Sequence, residues 1–292
     1  MIEIRGVSVR YGSTLAVDHV DLDLPTGKIY GVLGRNGSGK TSLLSAIASF
    51  RRPSTGTVRV DGVEAFENPA VMGQTVFIRD SLDVSSSDRI RWVLEFAGRL
   101  RPSWDADHAA KLLDLFGLDP RKRVSALSRG QRSALGVVLG LAARSPLTIL
   151  DEVYLGMDAV ARGQFHRALL DDYLAHPRTI IISTHLIEEV ADLFEQVIII
   201  DQGRILLHEE ADSLRGRGVT VTGPAAAVDA FVAGRVVLGE RSVGGMREVA
   251  LDGRLDPADA ARGEAAGLTF GPIGLQELFV HLTSSQQLEA SR

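Results

Sequence analysis

The sequence contains no cysteine. Disulfides, thiolate metal sites and cysteine nucleophiles are thereby excluded, and the chain suits a reducing compartment. Lysine is scarce: Lys28, Lys40, Lys111 and Lys122 stand beside many arginines, a bias of genome composition. Long apolar runs are missing as well. The longest, around Leu135 to Ala143, falls well short of the roughly 18 residues that suggest a bilayer span. Met1 to Tyr11 alternates apolar and charged residues and holds no signal-peptide core. Nor is there an excess of positive charge. With 32 basic against 37 acidic residues and a net charge of −5, no nucleic-acid partner is expected. What is present, 45% hydrophobic and 24% charged residues, is the composition of a globular protein. The 292 residues suffice for one large α/β domain and a small appendage.

Ile2, Ile4, Val7 and Val9, and then Val17 to Leu24, alternate as antiparallel strands with one wet face do. The pattern changes at Ile29 to Leu33, a short continuous apolar run before a glycine-rich turn. Val76 to Ile78, Leu147 to Leu150, Thr179 to Ile182 and Val197 to Ile200 are read as strands as well. Strands buried on both faces belong in a parallel sheet flanked by helices. Helical patterns lie between, at Thr41 to Phe50, Gln131 to Ala143, Val160 to Leu174 and Leu186 to Phe194.

Residues 88 to 125 form a helical insertion. Trp92, Leu94, Phe96 and Leu100 have helical spacing. Ser103 or Asp105 caps a second helix carrying Ala109, Leu112, Leu113 and Phe116, which Gly117 stops. Trp92 and Trp104 are expected in the core. After Gly203 the composition shifts toward Ala, Gly, Val and Arg. Strands are expected at Val219 to Thr222, Val236 to Leu238, Glu248 to Leu251 and Leu268 to Phe270, with Gly244-Gly245 as a hairpin turn. Helices are expected at Ala225 to Ala233 and Pro257 to Ala265. That β-α-β-β-α-β order is the order of a ferredoxin-like unit. A last amphipathic helix, Leu275 to Leu282, precedes a polar tail.

The segment Gly34-Arg35-Asn36-Gly37-Ser38-Gly39-Lys40-Thr41, with Ser42 next, fits GxxxxGKT between a buried strand and a helix. Glycines permit backbone angles that turn successive N–H groups inward. The positive end of the following helix adds to the field on an anion. Lys40 then reaches the β- and γ-phosphates of a nucleoside triphosphate, and Thr41 Oγ binds Mg²⁺. Leu147 to Glu152 is an apolar strand ending in two carboxylates, at the sheet edge where ligands sit. Asp151 suits Mg²⁺ there, and Glu152 suits the general base for an attacking water. In Leu127-Ser128-Arg129-Gly130-Gln131, Ser128 caps a helix and Gly130 allows close backbone approach, which makes a second anion site. One nucleotide has little use for two such loops in one chain, so the second serves a partner subunit. Thr184-His185 ends another strand; a histidine there can hydrogen-bond a γ-phosphate, although taken alone it reads first as a surface histidine starting a helix.

Taken together and in this order, Gly34 to Thr41, LSRGQ, LDE and STH resemble the ATP-binding-cassette family over about residues 1 to 210. The resemblance implies a P-loop NTPase fold: a parallel core sheet, an N-terminal antiparallel β-subdomain and a helical subdomain at about 88–145. A small C-terminal α+β domain at 211–283 and the tail 284–292 follow. It implies a head-to-tail pair of cassettes with two ATP molecules sandwiched between one phosphate loop and the other's signature loop. Tyr11 is then the residue that stacks on adenine, and Leu155-Gly156-Met157-Asp158 crosses the interface. His185 supports γ-phosphate and water, and a transmembrane permease subunit is the other partner. The chain itself is then peripheral, on the cytoplasmic face of the membrane. A single cassette with the segment around Trp104-Asp105 and a C-terminal unit resembles bacterial exporters. The alternatives are a soluble non-transport machine, or a regulatory module with a ligand-sensing C-terminal domain. Three positions depart from the family pattern. Asp80 aligns with the usual glutamine and brings a carboxylate toward Mg²⁺ or its waters. Val153 replaces a proline, and Arg129 replaces a glycine, adding positive charge near the partner's nucleotide.

Overall fold

The computed structural model describes residues 1–185, 187, 191–215, 217–280 and 283. The chain divides into two compact units, Met1–His185 with Ile198–Leu207, and Leu186–Val197 with His208–Arg292.

In the first unit, β1 (Ile2–Tyr11) and β2 (Thr14–Leu24) form a hairpin. Ile2 faces Leu24 and Ile4 faces Leu22 across it, so the apolar half of each alternation lands on one face. β3 (Ile29–Leu33) is buried along its whole length and runs into the glycine-rich turn and α1 (Lys40–Ile47). β4 (Thr55–Val60) pairs with β1, and β5 (Val63–Glu64) closes an antiparallel sheet of order β2-β1-β4-β5. The short α2 (Pro69–Gly73) leads to β6 (Thr75–Arg79). After the helical insertion come β7 (Leu147–Asp151), α6 (Ala159–Ala175), β8 (Thr179–Thr184), β9 (Gln196–Asp201) and β10 (Arg204–Glu210), the last two belonging to this unit over Ile198–Leu207.

The second sheet has the order β10-β9-β3-β8-β7-β6, with β3, β8, β7 and β6 parallel neighbours. Helix α1 packs on β1 and β2 and on β7. One apolar core therefore joins Ile4 and Val9 to Leu44, Ile149 and Ile181. The parallel register places Arg79 beside Asp151 and Asp151 beside Ser183. Three strand ends thus meet at one edge, where the following residues are Asp80, Glu152 and Thr184.

The insertion holds α3 (Ile90–Leu100), α4 (Ala106–Leu115) and α5 (Arg129–Ala142). Asp105 is the cap of α4, accepting from His108 N at 2.8 Å, whereas Ser103 Oγ donates to Ala143 O at 2.7 Å. Trp104 is half-buried and lies over Gly98, where a β-carbon would stand 2.9 Å from its ring. Trp92 is not in the core: it is 52% exposed, with Phe96 at 65% and Leu100 at 58%. Helix α3 is apolar on more than one side. Ile90 and Val93 take the buried face and the 92-96-100 stripe is turned outward.

The second unit contains α7 (Ala211–Arg215), β11 (Gly218–Pro224), α8 (Ala225–Val232), β12 (Val237–Val243), β13 (Met246–Asp252), α9 (Pro257–Ala265) and β14 (Thr269–Pro272). The sheet order is β12-β13-β11-β14 with antiparallel neighbours throughout. Its core is Val221, Val228, Val249, Leu251 and Leu268. Gly244 and Gly245 turn the β12–β13 hairpin at φ 56 and 84, a pair of left-handed residues whose twist matches that of the strands. Residues 191–193 form a 3-10 turn; 186 and 188–190 of the helix expected there lie outside the described residues. Of the expected last helix, 275–280 are helical, and Leu282 and the tail 284–292 lie outside the described residues.

Candidate nucleotide site

The phosphate loop leaves β3 at Leu33. Gly34 is required by space: a β-carbon there would lie 2.3 Å from Ser38 Oγ and 2.5 Å from Ile200 O. Gly39 takes φ 108 and is the N-cap of α1, with no side chain capping the helix. The first-turn amides of α1 are thereby left for an anion rather than for the chain's own oxygens. Gly37, at φ 83, makes the second left-handed step. Arg35, Asn36 and Gly37 are exposed, and Ser38 Oγ is buried without a hydrogen-bond partner.

Lys40 is buried at 5% exposure. Its Nζ donates to Gly34 O at 2.7 Å and to Arg35 O at 3.2 Å, and stands 3.3 Å from Glu152 Oε1. Thr41 Oγ1 donates to Asp151 Oδ2 at 2.7 Å. His185 Nδ1 lies 2.9 Å from Glu152 Oε2; an ionised carboxylate only accepts, so the Nδ1–H is the donor. Phosphate loop, Mg²⁺-type oxygen donors, carboxylate and histidine thus converge. Tyr11, Asn36, Gly37, Gly39, Lys40, Thr41, Ser42, Asp80, Asp151 and Glu152 line one cavity of about 610 Å³. Ser42 Oγ approaches Tyr11 Oη at 3.5 Å, and the Arg51 guanidinium lies 3.7 Å over the Tyr11 ring.

Ser183 and Arg51 are site residues that sequence reasoning did not single out. Ser183 Oγ donates to Asp151 Oδ1 and accepts from Glu152 N at 3.1 Å. It therefore holds the Asp151 carboxylate and the Glu152 backbone at once. That support matters because Glu152 sits at φ 54, a left-handed conformation that a non-glycine residue keeps only when its surroundings enforce it. The available signal was a buried strand ending in two hydroxyl residues.

Ser128, Gly130 and Gln131 lie elsewhere, in a hollow of about 530 Å³ shared with Arg129, Gly156, Met157 and Asp158. Ser128 caps α5 by accepting from Gln131 N at 3.2 Å, and Gln131 Oε1 accepts from Ser128 N at 3.1 Å. A β-carbon on Gly130 would come within 2.7 Å of Gly156 O, so only glycine permits the two loops to touch. The structure keeps this loop apart from the residues around Lys40. Asp80 stands at the rim of the first cavity. Its N–H donates to Asp151 O at 3.0 Å, and its carboxylate takes Arg129 Nη2 of the same chain at 3.2 Å. The charge that Arg129 adds is thus engaged within the chain.

Residues 17–154 match the family described as ABC transporter. The taurine import ATP-binding protein TauB of Pseudomonas syringae pv. tomato is 33% identical over 222 residues, 73% of this chain and 84% of that protein. The daunorubicin/doxorubicin resistance ATP-binding protein DrrA of Streptomyces peucetius is 32% identical over 229 residues, 73% of this chain and 66% of that protein. A solved dimeric structure of a bacterial ABC transporter cassette superposes with a TM-score of 0.64 at 20% identity, covering 72% of this chain and 99% of that one; the likeness is one of fold. On the matched family and on these relatives, the chain belongs to the ATP-binding proteins of ABC transporters.

Proposed function

We propose that the chain binds and hydrolyses ATP as one of two cassettes in a dimer and drives export through a separate transmembrane subunit. The observation that carries this reading is the convergence of Lys40, Thr41, Asp151, Glu152 and His185 at the open N-terminus of α1. Lys40 holds the terminal phosphates, assisted by the amides of Gly37 to Thr41. Thr41 and Asp151 present a hydroxyl and a carboxylate 2.7 Å apart, hard oxygens of the kind Mg²⁺ takes alongside phosphate oxygens. When bound, Mg²⁺ supplies charge neutralisation of the phosphates. Asp80 stands at the rim of the same cavity as a further carboxylate for its waters.

Glu152 orients the attacking water and accepts its proton, while the His185 Nδ1–H fixes the carboxylate in place. Tyr11, backed by Arg51 on one face, offers its ring to the adenine. The second anion site fits the nucleotide of a partner cassette: Ser128 accepts from Gln131 N yet keeps its own O–H to donate, and Gly130 allows close backbone approach. ATP-driven closure would then bring Ser128 of one cassette against the phosphates of the other.

Two surface features support a transmembrane partner. A groove of about 190 Å³ is lined by Phe50, Met72, Phe77, Leu82 and Arg101, and α3 turns Trp92, Phe96 and Leu100 outward. Apolar surface of this kind marks a protein-contact site. Among the described residues no helix is long and apolar enough to cross a membrane; the place at the cytoplasmic face is proposed from the likeness to ATP-binding subunits of transporters. Outward transport is the direction proposed from the resemblance of the single cassette, the Trp104-Asp105 segment and the C-terminal unit to bacterial exporters; the relatives include both a resistance protein and an import protein.

Glu152→Gln tests the reading. Loss of the general base should lower turnover by about 10²- to 10⁴-fold and leave ATP affinity intact, because the phosphate-loop donors remain. The ATP-bound form should then elute as a dimer in size-exclusion chromatography. Rapid hydrolysis by this variant, or a strictly single chain with Mg-ATP and the natural partners present, would overturn the assignment.

A further inference from the structure

Three carboxylates line the nucleotide cavity: Asp80, Asp151 and Glu152. Two of them are compensated from inside it. Asp151 accepts from Thr41 and Ser183, and Glu152 faces Lys40 and His185. Asp80 differs. The neighbouring Arg79 also lines the cavity, but its guanidinium is engaged by Asp83 at 2.7 Å and by the rings of Phe50 and Phe77. Asp80 Oδ1 is buried without a hydrogen-bond partner, and Oδ2 faces Arg129 Nη2 at 3.2 Å. Because its N–H is tied to Asp151 O at 3.0 Å, the carboxylate cannot retreat far from the cavity.

Arg129 is held from the other side. It opens α5, and its stem lies across Gly156, where a β-carbon would be 2.8 Å from Arg129 Cγ. One side chain therefore links the first residue of α5, the loop at Gly156 and the loop after β6. The pair is partly in water, with Arg129 62% exposed, so it adds little to folding stability. Its weight lies in its place. An ionised carboxylate at the rim of a triphosphate site repels the ligand unless a cation offsets it, and repulsion in a cavity is screened less than on an open surface.

We infer that Arg129 is a positioning residue of the nucleotide site: it holds the Asp80 carboxylate against α5 and cancels its charge toward the phosphates. This rests on the reading of the cavity as an ATP site. Two features that look like unrelated departures, an acidic residue after β6 and a basic residue opening α5, become one charge-balanced unit. Removing Arg129 alone leaves an uncompensated carboxylate at the rim, and removing both leaves the rim neutral again.

The test is a double-mutant cycle on Mg-ATP affinity, measured by titration calorimetry on the full chain. Arg129→Ala should weaken binding about tenfold at low salt, and the loss should shrink to about threefold or less in high salt, as screening predicts. Asp80→Gln alone should change affinity by about threefold or less, the loss of a peripheral contact. The double variant should bind no more weakly than Asp80→Gln, a coupling of about tenfold or about 1.4 kcal/mol. Arg129→Lys, which keeps the charge, should stay within about threefold of wild type. An Arg129→Ala loss that persists undiminished in the Asp80→Gln background, or that ignores salt, overturns the inference while leaving the ATP site standing. A wild-type chain that fails to bind Mg-ATP removes both.

Discussion

Helices α1 and α5 both begin with a glycine-containing loop aimed at an anion, yet their first turns are built in opposite ways. The cap of α1 is Gly39 at φ 108, with no side chain satisfying the first amides, and the loop wraps a buried lysine. The cap of α5 is Ser128, and Ser128 and Gln131 satisfy each other's backbone N–H groups on an exposed surface. The first end is an enclosed grip with free donors, complete within one chain. The second is already satisfied, and what it has left to offer is a hydroxyl proton and close backbone approach. A loop of that kind gains from an anion only when another surface closes over it and excludes water. The contrast fits the proposal that one helix end holds the chain's own nucleotide and the other meets the nucleotide of a partner cassette.

The contrast can be broken most directly at Lys40. Lys40→Ala removes a buried charged donor worth about 1.5–3 kcal/mol per hydrogen bond, so ATP affinity should fall about 100-fold in calorimetric titration; unchanged affinity would end the distinction between the two ends. Ser128→Arg should act at the other end alone. In the Glu152→Gln background the ATP-dependent dimer should disappear from light scattering, while ATP affinity of the single chain stays within about threefold, since no residue around Lys40 is touched. Loss of nucleotide binding by the isolated chain would show the ends are not separable. The smallest effect sharpens the comparison through two serines. Ser183→Ala strips a buried donor from Asp151 and an acceptor from Glu152 N, and should cost about 1–3 kcal/mol in urea unfolding. Ser128→Ala removes an exposed cap and should cost about 1 kcal/mol.

The phosphate loop was legible because its geometry is local. The glycines at 34, 37 and 39 announce left-handed steps and close contacts within six residues, and the flanking strand and helix carry their own periodicity. Asp151, Glu152 and His185 were singled out by the order of the motifs and the family resemblance, since an acidic pair after a strand often just caps a helix and a lone histidine there reads first as a surface residue. Ser183 was harder, since a hydroxyl at the end of β8 also reads as an ordinary strand terminus. Its role depends on standing level with Asp151 in the parallel register. Trp92 went the other way. Helical spacing identified the helix but not which of its apolar sides faces the core, and the side bearing Ile90 and Val93 won.

From sequence alone come the segments proposed to wrap and hold a phosphate and to activate the attacking water, because each rests on backbone angles or strand burial set by neighbours a few residues away. Only the tertiary structure decides how those segments are joined. Parallel strands bring Arg79, Asp151 and Ser183 level with one another, and the chain then pairs Asp80 with Arg129, 49 residues apart. Register and charge balance across a sheet edge belong to residues distant in the chain, and no local pattern encodes them.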